Sequence, residues 1–413
     1  MRVRTIEIAD QGAGLDDSQA LLAKLPAATD VYAWVRGGNG LVGWGEAARF
    51  TASGQERFAR AHRWWRDLVR SADVVDDVGL PGTGPVAFAS FTFDPKAEGS
   101  VLVVPRVLLG HRDGRTWLTV VGDDVDQVLR ELAKPVAMPE HHGQAHWSDG
   151  SRTPAEYVAI VADAVARITA GELDKVVLAR DVVATTDRPI DVRQLLQQLA
   201  HGYPDCWTFA VDGLVGATPE MLVRREGDRV LSRVLAGTVR RTDDLAVDDR
   251  LAAALLTSHK DLDEHAYAVQ SVAQALGVHC TDLDVPTHPR ILTLPNVQHL
   301  ATDVRGVLAD GAPALALAAA LHPTAAVCGT PTERARSLIS DIEGLDRGRY
   351  AGPVGWIDAD GDGELGIALR CAEVADNTIR AFAGCGIVAG SNPTDELAES
   401  QVKLVAIRDA VES

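Results

Sequence analysis

Through most of residues 1 to about 135, hydrophobic and polar positions alternate or gather into short β-branched and aromatic runs. GLVGWGEAARF (40–50), PVAFASFTFDP (85–95) and SVLVVPRVLLGHRDGRTWLTVVG (100–122) are each bounded by Gly, Pro or Asp and predict strands. One segment breaks this pattern with helical spacing. It starts at Ser53, a candidate N-cap with Glu56 three residues on, and runs to about Arg70. From Pro135 to Thr153 the chain is polar and reads as an exposed connector. It carries His141, His142 and His146, whose spacing fits no standard zinc pattern.

A helix and a strand follow. Thr153-Pro154-Ala155-Glu156 supplies an N-cap, a proline at the first helical position and a capping-box glutamate. Tyr157, Val161, Val165 and Ile168 share one face, and Gly171 ends the helix. ELDKVVLARDVVATT (172–186) then predicts a buried strand that carries Lys175, a cation costly in such a run unless paired or used. Asp205 to Arg241 reads as a meander with two strands joined at Glu226-Gly227-Asp228. Asp244 to about Val278 is helical with a break near His259, and Leu262, Ala266, Val269, Ala273 and Leu276 form its core stripe. The last hundred residues return to strands and finish in a helix from about Thr394 to Glu412.

Composition narrows the function. The chain has 413 residues, a length that at about 150 per domain suggests two or three domains. With 40 Lys plus Arg against 58 Asp plus Glu, its net charge is −18, which argues against nucleic acid and anionic membranes as partners. No apolar h-region opens the chain and no run approaches a bilayer span, the longest being Ala314 to Leu321. The five cysteines show no C-x-x-C pair and read as reduced, mostly buried thiols of a soluble cytoplasmic protein. An anionic substrate would therefore need local positive charge, a metal ion or backbone N–H groups.

Two motifs mislead. Asp358-Ala359-Asp360-Gly361-Asp362-Gly363 opens like an EF-hand loop, but Leu369 stands where the bidentate glutamate belongs and strands flank it, so an acidic hairpin turn is expected. Gly384-x-Gly386-x-x-x-Gly390 imitates a dinucleotide fingerprint with the wrong spacing, too near the C-terminus for a βαβ unit. As a glycine loop before a helix it still suits a small anion.

The last helix places Glu396, Glu399 and Lys403 on one face at i, i+3 and i+7. On spacing alone, a solvated charged face with an i, i+4 salt bridge accounts for it better than a site does. Asp261 and Glu264 likewise share one side of an earlier helix, and packing of the two helices would bring Glu264 to Glu399. Carboxylates without imidazole or thiolate ligands suit Mg²⁺. With Arg370, Lys403 and the glycine backbone, they outline a Mg²⁺-dependent enzyme acting on a small carboxylic acid.

Taken together, LDKVVLAR (173–180), GATPEMLVRREGDRVLSRVLAGTVRR (216–241), SHKDLDEH (258–265), VQHLATDVRG (297–306), LHPTAAVCGTP (321–331), YAGPVGWID (350–358), IALRCAEV (367–374) and FAGCGIVAGSNPTDELAESQVK (382–403) resemble the chorismate-utilising enzymes. The resemblance implies an α/β fold: one large domain over residues 1–413, in which antiparallel sheets stack with helices outside. Residues 1–150 would be its variable strand-rich part and 151–413 its catalytic core. Family members that use ammonia carry Gln at the position of Lys175, and aminodeoxychorismate synthases carry a Lys in a motif that here reads Leu235-Ala236-Gly237-Thr238. Both differences imply water as the nucleophile and no glutaminase partner. Ala301 and Trp356 favour isochorismate synthase over salicylate synthase, with an anthranilate or aminodeoxychorismate synthase component, or a non-catalytic chorismate-binding protein, as further alternatives.

By the same matching, Lys175 would be the general base and Glu220 the general acid, each with a pKa moved by its surroundings. Glu264 and Glu399 would ligate Mg²⁺, with Glu396 and Asp261 acting through waters. Arg370 and Tyr350, helped by the Gly384 and Gly386 N–H groups, would hold the enolpyruvyl carboxylate. Gly237, Thr238, Ala301 and Lys403 would line the rest of the substrate site. His299 would lie near the ring, although a lone histidine reads equally well as structural. The resemblance implies a monomer, and either menaquinone or siderophore biosynthesis would take the product.

Overall fold

The computed structural model describes residues 1–8, 18–27, 30–122, 124–242 and 244–413. Its strands form one continuous ribbon. From Val297–Leu308 the pairing passes through Arg229–Arg240, Met221–Glu226, Gly363–Ile367, Pro353–Asp358, Val86–Ser90, Ser100–Arg112, Asn39–Ala52, Val31–Arg36, Trp207–Val211, Leu214–Thr218, Cys371–Ala375 and Thr378–Ile387 to Lys175–Thr186. Among the described residues only Arg2–Ile8 with Asp73–Asp76 pairs in parallel. The N-terminal strands are thus threaded between C-terminal ones, so the length-based expectation of two or three domains gives way to one α/β domain with a large antiparallel sheet.

The ribbon bends between sheets at two corners that lie side by side. Pro219 cannot donate a ladder hydrogen bond, and there the chain leaves Leu214–Thr218 and enters Met221–Glu226. Opposite it, Ala368–Arg370 separates Gly363–Ile367 from Cys371–Ala375. Thr218 Oγ1 donates to Ile367 O at 2.7 Å and Ala217 N to Arg370 O at 3.2 Å, which ties the corners together. Glu220 and Arg370 are therefore brought together by the bend. Arg370, expected on a strand, sits instead in this corner with φ +49°.

Helices pack outside on two apolar layers. Arg57–Arg70, Pro154–Thr169, His259–Leu276, Ala314–Leu321 and Thr332–Ile342 cover the larger layer, around Trp34, Phe88, Leu178 and Trp356. Ser18–Leu22, Val192–Gly202 and Pro393–Glu412 cover the second. The expected capping box forms, with Thr153 Oγ1 accepting from Glu156 N and the Glu156 carboxylate accepting from Thr153 N. The Ser53 cap does not form. That helix begins at Arg57 after Glu56, without a side-chain cap, because Gly54 turns the chain first and Arg57 N donates to its carbonyl.

The break near His259 falls at Leu256–Ser258, where Ser258 caps the second helix. Its core stripe is His265, Ala268, Val272 and Leu276, displaced from the expected one apart from Leu276. Apolar periodicity missed His265 because that ring turns inward only by bonding Thr302 Oγ1, at 2.8 Å. The acidic segment is a hairpin turn in which Asp358 Oδ1 accepts from Asp360 N and Asp362 N. His142 is buried instead of exposed, its Nε2 donating to Val411 O at 2.8 Å. His141 accepts from Gly143 N and His146 faces Asp187, so the three do not converge.

Candidate active site

One cavity gathers residues from nine separated segments. Val177, Glu220, Gly237, Thr238, Glu264, His299, Tyr350, Arg370, Gly384, Gly386, Glu399 and Lys403 all line it. Lys175 lies in the wall behind Gly386, fully buried, with Nζ 3.2 Å from Glu264 Oε1 and outside hydrogen-bond alignment. Period-two alternation turns Lys175 and Val177 to the same face of their strand.

Glu220 is 4% exposed, and burial pushes its carboxyl up to about 8 against the pull of the Leu235 N–H and the Lys175, Lys403 and Arg370 charges. It is therefore protonated at neutral pH and can donate a proton.

A bulge shapes the next wall. Gly237 adopts φ +72° where the register of Arg229–Arg240 against Val297–Leu308 slips between Ala236 and Thr238. The slip sets Thr238 opposite His299, with Thr238 Oγ1 3.1 Å from His299 Nδ1. Arg370 Nη2 lies 3.0 Å from His299 Nε2, and since a guanidinium only donates, Nε2 is the acceptor and Nδ1 carries the proton toward Gly237 O. Burial first, then the Arg370 and Lys403 charges, hold this imidazole neutral, well below its ordinary value. His299 thus orients Arg370 on the cavity wall. Arg370 Nη1 is left buried without a protein partner, an open donor for an anion.

Two expectations change here. Gly384 and Gly386 lie inside the Thr378–Ile387 strand, not in a loop, because ladder pairing with Ala179 and Val177 extends past them. What the site requires of them is a missing side chain. A Cβ at Gly386 would stand 2.0 Å from Glu264 Oε1, and one at Gly384 would stand 2.9 Å from the Tyr350 hydroxyl. Ala301 does not line the cavity. It shares a face with His299 but sits two residues further along, about 7 Å, buried opposite Leu235.

The carboxylates divide. Glu264 and Glu399 line the cavity, whereas Asp261 and Glu396 line an adjoining groove that also reaches Glu399. Ligand atoms of Glu396, Glu399 and Cys385 lie within 4.8 Å of one another. Glu399 is matched by Lys403 at 2.6 Å and Glu396 by Lys260 at 2.9 Å, while Glu264 has Lys175 Nζ 3.2 Å away. Burial works to raise Glu399, but Lys403 outweighs it and leaves the group below its ordinary value. Glu396 goes up, through burial and then the Glu399 charge. Burial also keeps Cys385 a protonated thiol, which offers no thiolate to a metal. The oxygen donors that remain suit a hard divalent cation.

Arg347 escaped the sequence reading. It lines the cavity, donates bidentately to Glu343 at 2.7 and 2.6 Å and reaches Val177 O and Val327 O, fastening the lysine strand to the opposite wall. The four-residue spacing of Glu343 and Arg347 was a faint sign, common to ordinary helix pairs.

This architecture has counterparts. The profile of the chorismate binding enzyme family matches residues 14–412. Isochorismate synthase DhbC of Bacillus subtilis is 45% identical over 60% of this chain and 66% of its own length, and isochorismate synthase MenF of the same organism is 33% identical over 88% and 83%. The solved structure of MenF, the menaquinone-specific isochorismate synthase from Escherichia coli, superposes with a TM-score of 0.80 at 26% identity, covering 99% of this chain and 94% of that one. With the family profile matched over nearly its whole length, the chain belongs to the chorismate-binding enzyme family.

Proposed function

We propose that the protein is an isochorismate synthase, an isomerase that adds water at C2 of chorismate, shifts the ring double bonds and expels the C4 hydroxyl. The observation that carries this reading is a protonated, buried Glu220 sharing one cavity with an arginine that has an open donor, with Lys175 in the wall behind Gly386. Lys175 takes a proton from the attacking water while Glu220 gives its proton to the leaving hydroxide, so the two groups exchange roles without net proton release. Arg370, held by His299, binds the enolpyruvyl carboxylate with Tyr350 beside it.

Mg²⁺ is part of the proposal. Glu264 and Glu399 would hold it, Glu396 and Asp261 would support it through waters, and it would neutralise the ring carboxylate. Support comes from the set of oxygen donors that Glu264, Glu399 and Glu396 bring to the cavity and its adjoining groove. The names of the relatives point to the same reaction.

Pure protein incubated with chorismate and Mg²⁺, with products resolved by chromatography, should yield isochorismate without ammonia. EDTA should abolish turnover and added Mg²⁺ restore it. Salicylate plus pyruvate as the main early product would instead identify a salicylate synthase. Anthranilate formed only with ammonium would overturn water as the nucleophile.

A further inference from the structure

On the face of the Lys175–Thr186 strand opposite Lys175 lies Arg180, 4% exposed. Its Nε is buried without a partner, no protein hydrogen bond reaches its guanidinium among the described residues, and the nearest carboxylate, Asp149 Oδ1, is 3.9 Å away. Arg408, on the last helix, also has a buried unpartnered Nε and stacks 5.0 Å over the Trp147 ring. Both arginines line the groove next to the cavity. Of the other charges in that groove, Glu396 pairs with Lys260, Asp261 with Ser258 and Arg241 with Asp248, and Arg240 and Asp395 line it as well. Thr238 and Glu399 line both spaces, so groove and cavity meet.

A guanidinium nitrogen buried without an acceptor is expensive, and an anion drawn to the rest of the guanidinium offsets part of that cost. We infer that Arg180 and Arg408, with the Trp147 ring, form a docking site for a small carboxylate, and that the anionic substrate passes over it on its way to the cavity. In a chain of net charge −18, such a site concentrates the substrate where the rest of the surface repels it. The inference rests on the proposed activity only for the identity of the passing anion.

Two measurements test it. In Arg408→Gln, kcat/KM for chorismate at low salt should fall about tenfold with kcat unchanged and its salt dependence should flatten, while Arg408→Lys should recover most of the loss. Independently, benzoate titrated into the wild type should change tryptophan fluorescence saturably, and Trp147→Phe and Arg408→Gln should each abolish that change. Wild-type kcat/KM in Arg408→Gln, or no saturable benzoate signal in the wild type, would overturn the inference. If the wild type fails to turn over chorismate but benzoate binding depends on Arg408, the docking site stands and the reading of the reaction falls.

Discussion

At the residue scale, Glu220 is a carboxylic acid kept protonated because no cation is close enough to offset its burial. With Glu220 as the acid, kcat should fall as pH rises through about 8, and Glu220→Gln should lower it about 10²- to 10⁴-fold, measured by product chromatography. The same shift has a stability sign. Because the folded pKa lies above the ordinary 4.5, the native state binds the proton more tightly, so this group's contribution is present at low pH and lost as pH rises from about 4.5 through about 8. Glu220→Gln should therefore melt higher than the wild type at pH 9 while being inactive, a combination that thermal denaturation and turnover assays read together. Gly386 makes a steric prediction. Gly386→Ala would drive a methyl against Glu264 and Lys175, and should cost about 10² or more in kcat/KM with the folded circular dichroism spectrum retained.

At the element scale, some local rules hold and others yield to packing. The Thr153–Glu156 capping box was legible because it needs only four neighbouring residues. Thr153→Ala should cost about 1 kcal/mol in urea denaturation and leave kcat unchanged, since that helix end is exposed and, although Pro154 borders the groove, it carries no residue of the cavity itself. The Gly384–Gly386 segment went the other way. Its glycines look like a loop in sequence, but pairing with the lysine strand makes them part of a strand whose value is its bareness. Similarly, Ala301 looked like a substrate contact by its place in a motif, and one step along the pleat removed it from the cavity.

At the scale of the whole molecule, residues 1–150 are part of the framework and not an appendage. Val86–Ser90 pairs with Pro353–Asp358, Val31–Arg36 with Trp207–Val211, and Ala145–Asp149 with the strand that carries Lys175. A fragment of residues 151–413, although it holds every motif, should show no cooperative thermal transition by circular dichroism, because three strand edges would be stripped at once. The sequence by itself determined the period of each element, the caps, the family motifs and the identity of the reactive side chains, because these depend on neighbours in the chain. Only the tertiary structure decided that Glu220 and Arg370 sit at adjoining corners, that His299 spends its imidazole holding Arg370, that Glu264 and Glu399 face the cavity while Asp261 and Glu396 face the groove, and that Arg180 Nε is buried without a hydrogen-bond partner. Each of those depends on distance and dielectric between segments far apart in sequence, and pairing across a folded ribbon sets both.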